Sequence, residues 1–179
     1  GDVYKRQLSV IVSGPAEAVA AARPVLEVVG HKVFVVGEAA GQSQTMKLAN
    51  NLLSLAAMVL TSEAVALGAK SGLDPAMMCE VFNASTGRNS STVTKFPRAV
   101  LTGSFDSGAT TAIATKDLSL AVDEFSAHGI PAPMTGLARD MKRMARASFG
   151  ASADMTSIAR LYEQWADVRM QSSRAPGAD

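Results

Sequence analysis

The stretch Gly41-Gln-Ser-Gln-Thr-Met-Lys47-Leu-Ala-Asn50-Asn51 opens the longest helix that the sequence predicts. Apolar residues recur at helical spacing from position 42 to position 69, which predicts a helix about 40 Å long at about 1.5 Å per residue. Lys47 and Asn51 lie four residues apart and therefore share a face, with Asn50 beside them. Asparagines inside a helix are unfavourable relative to alanine, so this pair indicates a purpose other than helix stability.

Two short apolar strands precede this helix. The segments 8–13 and 31–36 are rich in β-branched residues, and the intervening segment 16–29 has the alanine and leucine density of a helix. This β-α-β order predicts parallel strands. Because two parallel strands cannot bury both faces of a sheet, we expect residues 8–40 to be the end of an α/β domain whose earlier strands lie outside this chain.

The rest of the chain predicts helices only. The fold class is therefore mostly α with a small α/β remnant, and the all-helical region spans residues 41–170. We interpret residues 1–7 as a non-native scar and residues 171–179 as a disordered tail. After the long helix, the pattern predicts further helices over residues 75–82, 92–100, 110–128, 134–148 and 154–170.

Charge and composition exclude several function classes. A net charge of +1 gives no general attraction to nucleic acid, and the most apolar run, residues 48–60, is broken by Asn50 and Asn51, which argues against a membrane span. One cysteine, Cys79, fits a reducing, cytoplasmic location. Neither histidine has neighbours at metal-ligand spacing, so we predict no metal site.

Several cations have two open interpretations. Lys47 is either a general acid/base or a lysine that extends from the helix into solvent. Arg88, in a polar loop, either pairs with a substrate carboxylate or belongs to a plain helix connection. Four basic residues at helical spacing form a stripe that we interpret as a solvated or subunit-contact face: Arg139, Lys142, Arg143 and Arg146.

The opening stretch also resembles a family signature. Its pattern, Gly41-x-Ser43-x-x-x-Lys47-x-x-Asn50-Asn51, is similar to Gly-x-Gly-x-x-x-Lys-x-x-Asn-Asn of the β-hydroxyacid dehydrogenases, which include 3-hydroxyisobutyrate and 6-phosphogluconate dehydrogenases. The resemblance covers residues 8–168. Further matches follow in the family's order: Glu63-Ala64, Phe96-Pro97-Arg98, Gly103-x-Phe105, Lys116-Asp117-Leu118, Gly129-x-Pro131, and Gly150 ahead of Asp154.

The resemblance implies an oxidoreductase that uses NAD or NADP and acts on a small β-hydroxyacid. Residues 8–40 would end a Rossmann domain, and the helical domain would form a homo-oligomer. Lys47 would be the catalytic acid/base with Asn51 beside it, while Asn50, Asn51 and Arg88 would hold the substrate. Gly41, Ser43 and Lys116 would approach the cofactor.

Two departures qualify the resemblance. Ser43 stands where the family has its second glycine, and no Gly-x-Gly-x-x-Gly turn for the cofactor pyrophosphate occurs in the chain. We therefore expect the 179-residue chain alone to be inactive and to bind NAD(P) weakly. The alternative is a helical oligomerisation or binding module with no catalysis of its own.

Overall fold

The computed structural model describes residues 8–172. Backbone contacts divide the chain into two compact units, one ending at Asn50 and the other beginning at Asn51. The predictions for residues 1–7 and 173–179 lie outside the described residues. The domain boundaries proposed from the sequence, 8–40 and 41–170, stay predictions.

The first unit contains the β-α-β piece. Strand β1 (Ser9–Val12) pairs in parallel with strand β2 (Lys32–Val35), and helix α1 (Ala16–Val29) connects them. The register places Ser9 opposite Lys32, and five of the eight strand residues are β-branched. The prediction of a small parallel sheet is confirmed, and each observed strand is one residue shorter at both ends than its predicted segment.

The second unit is helical. Helix α2 (Gln42–Lys70) begins in the first unit and continues into the second, where α3 (Pro75–Ala84), α4 (Thr111–Ala127), α5 (Pro133–Phe149) and α6 (Ile158–Ala166) follow. Asp74 caps α3 by accepting from the Met77 N–H at 2.9 Å, as the Asp-Pro pair predicts. The mostly helical fold class is thus confirmed.

The core of the second unit draws on every one of its helices. Buried side chains from the five α-helices of this unit meet in one cluster with Phe96 from residues 91–100 and Met170 from after α6: Met58, Val65, Cys79, Leu118, Ala145 and Ile158. These residues fall on one side of each helix, so burial of that side fixes how each helix turns its polar side outward.

Residues Ser91–Val100 form a π-helix, where the sequence predicted an α-helix. The Leu101 N–H donates to the Phe96 carbonyl five residues back, at 2.9 Å. Pro97 has no N–H to donate to the Thr92 carbonyl, and the Asn83 amide donates to that carbonyl instead, at 3.1 Å. A side chain from α3 thus satisfies the acceptor that the proline leaves open.

The last predicted helix, 154–170, is shorter in the structure. A 3-10 turn, Met155–Ser157, leads into α6, which ends at Ala166 because Asp167 adopts a left-handed conformation. The Asp154 carboxylate accepts from the Ser107 N–H at 2.8 Å and from the Thr156 N–H at 2.8 Å. It therefore joins the loop before α4 to the start of the last helical segment.

The four basic residues of α5 do not form one solvated stripe, so that interpretation is wrong for Lys142. Lys142 is fully buried, and its Nζ donates to the Met155 carbonyl at 2.9 Å. Ala138, Met141 and Ala145 are buried with it, whereas Arg143 is exposed on the opposite side. Residues spaced three and four apart spread over a wide arc of the α5 surface. Lys142 lies at the edge of that arc that faces the core.

Helix α2 is long and apolar enough to cross a membrane by length and composition, the one such helix within residues 8–172. Of its most apolar 18-residue window, 44% is buried inside the chain. Even Ser62 is fully buried, donating to the Met58 carbonyl at 2.8 Å. The core helix of a soluble protein has these properties, so the absence of a membrane partner stays our prediction.

Burial lowers the pKa of Lys142 from an ordinary 10.5 to about 7, and the charge of Lys95 adds to the effect. Between these pH values the unfolded chain binds the extra proton, so the free energy of unfolding rises with pH. From pH 7.5 to 9.5 we expect wild type to gain roughly 2 kcal/mol more than Lys142→Met, measured by urea unfolding.

A matched control is Lys70→Met, which removes an exposed lysine from the end of α2. Lys95, whose pKa burial lowers to about 8, is present in all three proteins, and the loss of its repulsion with Lys142 in Lys142→Met is part of the expected difference. Equal pH dependence in wild type and Lys142→Met would show that Lys142 remains protonated in the folded chain.

Candidate functional site

The polar residues that open α2 differ in their surroundings. Lys47 and Asn50 are exposed, whereas Asn51 is half-buried. The Asn51 Nδ2 donates to the Asp117 Oδ2 of α4 at 2.8 Å. Lys47 and Asn51 follow each other by one helical turn, as predicted, and only Asn51 is anchored to another helix within the described residues.

Asp117 is a buried carboxylate with two partners. Its side chain is 9% exposed, and its Oδ1 lies 3.2 Å from the Nζ of Lys116, whose side chain is 63% exposed. Because a carboxylate can only accept hydrogen bonds, Asp117 orients the Asn51 amide with its NH2 group toward the carboxylate and its carbonyl oxygen away from it. This Asn51–Asp117–Lys116 cluster therefore presents an acceptor oxygen and a cation.

The sequence pattern did not predict the role of Asp117. The Lys116-Asp117 pair was part of the family resemblance, but the pattern gave no indication that its carboxylate reaches Asn51, 66 positions earlier in the chain. An acidic residue on the apolar side of an amphipathic helix indicates a polar partner on another element, since carboxylates are rarely buried without partners.

Gly41 and Ser43 lie at the start of α2. Gly41 has a φ of +96°, and no heavy atom lies within 4 Å of where a Cβ would stand, so the backbone conformation and not crowding favours glycine. The Ser43 N–H donates to the Ser13 Oγ at 3.1 Å, which gives a free helix N–H a partner from the end of β1. Their assignment to cofactor binding stays a prediction.

Arg88 lies apart from the Asn51–Asp117–Lys116 cluster. It is exposed and lines a groove of about 410 Å³ beside the middle of α2, together with Leu60, Thr61 and Phe82. Neither Asn51 nor Lys116 lines that groove. Arg88 is therefore not brought together with the other predicted substrate-binding residues by the fold of this unit.

Lys95 was not identified from the sequence. Its Nζ donates to the Ser54 Oγ at 2.7 Å and to the Ser90 Oγ at 3.0 Å, and burial lowers its pKa from 10.5 to about 8. It lines a cavity of about 340 Å³ with Arg98 and Ser107. Because Lys95 lies in the π-helix and Ser54 lies in α2, the hydrogen bond between them holds the two helices together.

The described residues contain no group of three or more metal-ligating side chains. Burial raises the pKa of the Cys79 thiol to about 12, so this cysteine is a packing residue and not a nucleophile. The chemistry of this unit therefore depends on its amines, amides and carboxylates.

Residues 41–162 match the family described as NAD-binding of NADP-dependent 3-hydroxyisobutyrate dehydrogenase. The chain belongs to this family. The match includes the opening stretch of α2 and the Lys116-Asp117 pair, and it supports the expectation that the cofactor is NAD or NADP.

Three relatives illustrate the similarity. The 3-hydroxyisobutyrate dehydrogenase of Pseudomonas aeruginosa is 38% identical over 87% of this chain, and the 2-(hydroxymethyl)glutarate dehydrogenase of Eubacterium barkeri is 32% identical over 92% of it. The solved structure of Mycobacterium tuberculosis 3-hydroxyisobutyrate dehydrogenase with L-serine superposes with a TM-score of 0.79, at 29% identity over 89% of this chain.

The chain spans about half the length of these relatives: 54% of each of the first two and 56% of the third.

Replacement of Asp117 by alanine tests the cluster. It leaves the half-buried Asn51 amide without its acceptor and Lys116 without its counter-ion, so we expect a loss of about 1–3 kcal/mol in the free energy of unfolding. Urea unfolding followed by circular dichroism measures this loss. Asp123→Ala, which removes an exposed acid from the same helix, should change stability by less than about 0.5 kcal/mol. Equal effects of the two substitutions would contradict the role of Asp117.

Proposed function

We propose that a protein containing this chain is an NAD(P)-dependent oxidoreductase that interconverts a small β-hydroxyacid and its aldehyde or keto form. The observation that carries the proposal is the anchored Asn51, held by a buried Asp117 one helical turn after Lys47, inside the region that matches the family. An amine and an oriented amide on successive turns are suited to handling the proton of a hydroxyl group.

Lys47 would serve as the acid/base. In its neutral form the amine of this exposed lysine would take the hydroxyl proton during oxidation, and in its ammonium form it would return a proton to the carbonyl oxygen during reduction. The Asn51 carbonyl oxygen, turned away from Asp117, accepts from a substrate donor, and Asn50 lies beside it on the exposed side. The cofactor supplies a hydride acceptor or donor.

The residues of this chain fit part of a dinucleotide. Lys116 is an exposed cation suited to an anionic group, and the α2 start offers a glycine with positive φ where the backbone is open. A pyrophosphate-binding glycine turn does not occur among these 179 residues. Weak NAD(P) binding by the 179-residue chain alone thus stays our prediction.

The substrate is proposed only as a class. The two relatives differ in their named substrates, 3-hydroxyisobutyrate and 2-(hydroxymethyl)glutarate, and both names denote hydroxyacids. We propose a 3-hydroxyisobutyrate-like compound. Arg88 remains a candidate for a carboxylate partner that another part of the protein would have to complete. A cytoplasmic location likewise remains a prediction.

In a longer protein that contains this chain, Lys47→Ala should reduce kcat by a factor of about 10²–10⁴, because general acid/base catalysis contributes rates of this order. Steady-state NAD(P)H absorbance with a panel of β-hydroxyacids measures the effect, and cofactor affinity should stay near that of wild type. Lys70→Ala, which removes an exposed lysine at the far end of the same helix, is the control. Near-normal kcat in Lys47→Ala would remove the basis of the proposal.

The alternative function, a helical oligomerisation module, has an observation of its own. Leu53, Leu60 and Leu67 recur every seven residues along α2 and are 72%, 63% and 72% exposed. These three residues are called the leucine seam. A seam of this spacing suits packing along another helix, so we propose that the helical domain forms a homo-oligomer, with or without catalysis.

The double substitution Leu53→Glu and Leu60→Glu should convert an oligomer of the 179-residue chain into a monomer, because buried unpaired carboxylates oppose association. Sedimentation equilibrium measures the change. Leu73→Glu alters an exposed leucine in the turn after α2, outside the leucine seam, and should leave the oligomer intact. An oligomer that survives the double substitution would place its interface elsewhere.

A further inference from the structure

A basic groove of about 410 Å³ lies between α4 and α5. Lys116 lines it from α4, and Arg143 and Arg146 line it from α5. The remaining lining residues are small: Thr115, Ser119, Ala147 and Ala151. Three cations thus border one groove, with no acidic side chain among its lining residues.

The cations are only partly compensated. Lys116 pairs with Asp117 at 3.2 Å and Arg143 pairs with Asp140 at 3.3 Å, and neither of these carboxylates lines the groove. Arg146 has no ion pair within residues 8–172. Like charges on facing helices repel one another, so an anion placed among them would be favoured.

The hydroxyl groups of the groove are already engaged as donors. The Thr115 Oγ1 donates to the Thr111 carbonyl at 2.8 Å, and the Ser119 Oγ donates to the Thr115 carbonyl at 2.9 Å. The donors that remain for a ligand are therefore the ammonium and the two guanidinium groups. Guanidinium groups match the paired oxygens of carboxylate or phosphate.

We propose that the α4/α5 groove binds an oxyanion group of a small ligand, either a carboxylate or a phosphate. Lys116 belongs both to this groove and to the Asn51–Asp117–Lys116 cluster, so one cation is shared by the bound anion and the cluster. This link to the reaction rests on the proposed function, whereas anion binding by the groove does not.

Two sources would supply this chemistry. A substrate with a second carboxylate would place that group in the groove while its hydroxyl reaches Asn51. A cofactor phosphate would use the same cations. The ligand chemistry is shared, and the two sources differ in the shape and charge of the oxyanion.

Isothermal titration of the 179-residue chain at low ionic strength tests the groove with three probes: glutarate, butyrate and inorganic phosphate. Low salt matters because exposed cations are screened at about 10 Å in 0.1 M salt. The test variant carries Arg143→Gln and Arg146→Gln, and the control is Arg139→Gln, which removes a guanidinium of the same helix that does not line the groove. Circular dichroism checks that all variants fold.

We expect glutarate or phosphate to bind wild type and Arg139→Gln alike, and the double variant about tenfold or more weakly. Preference for glutarate over both butyrate and phosphate assigns the groove to a substrate carboxylate, and preference for phosphate assigns it to a phosphate-bearing ligand. No binding to wild type, or equal binding to the double variant, would overturn the inference. The effect of Lys47→Ala on kcat tests the proposed function, and it does not depend on whether the groove binds an anion.

Discussion

The hydrogen bond from the Asn51 amide to the buried Asp117 carboxylate is the interaction on which the candidate site depends. A carboxylate that is 9% exposed needs partners, and Asn51 and Lys116 supply them from α2 and α4. The same bond decides which atom of Asn51 points toward Asp117 and which points away from it. One buried charge therefore sets the direction of an acceptor on α2 and the position of a cation on α4.

Local patterns predicted most of the fold because short-range chemistry determines it. Helix α1 has the predicted bounds, and α2 differs by one residue at its end, because apolar spacing, Gly30 and the turn after Lys70 mark these limits. The π-helix was not predicted, since its cause is a partnership between Pro97, Thr92 and a distant Asn83. The early end of α6 depends on a left-handed Asp167, for which the sequence offers no glycine signal.

The candidate site was predictable as a set of residues but not as a geometry. Lys47, Asn50 and Asn51 follow from the opening stretch, whereas the partner of Asn51 and the hydroxyl contacts of Lys95 join residues that are distant along the chain. Lys142 shows the limit of charge patterning. The spacing of the basic residues predicted a surface group, but Ala138 and Ala145, about one helical turn before and after Lys142, are buried apolar residues. The spacing defines an arc, and only packing decides which part of that arc faces water.

The π-helix at Ser91–Val100 also bears on how this region varies in length. A π-helical turn holds more residues than an α-helical turn, so losing one residue would let the segment relax into an α-helix without moving its ends far. Side chains beyond the deletion would then keep nearly the orientation that they have here, because the π-helical turn is what takes up the extra residue. A homologous chain one residue shorter here therefore needs a gap inside this segment, and aligning it without one would misassign the counterpart of Lys95.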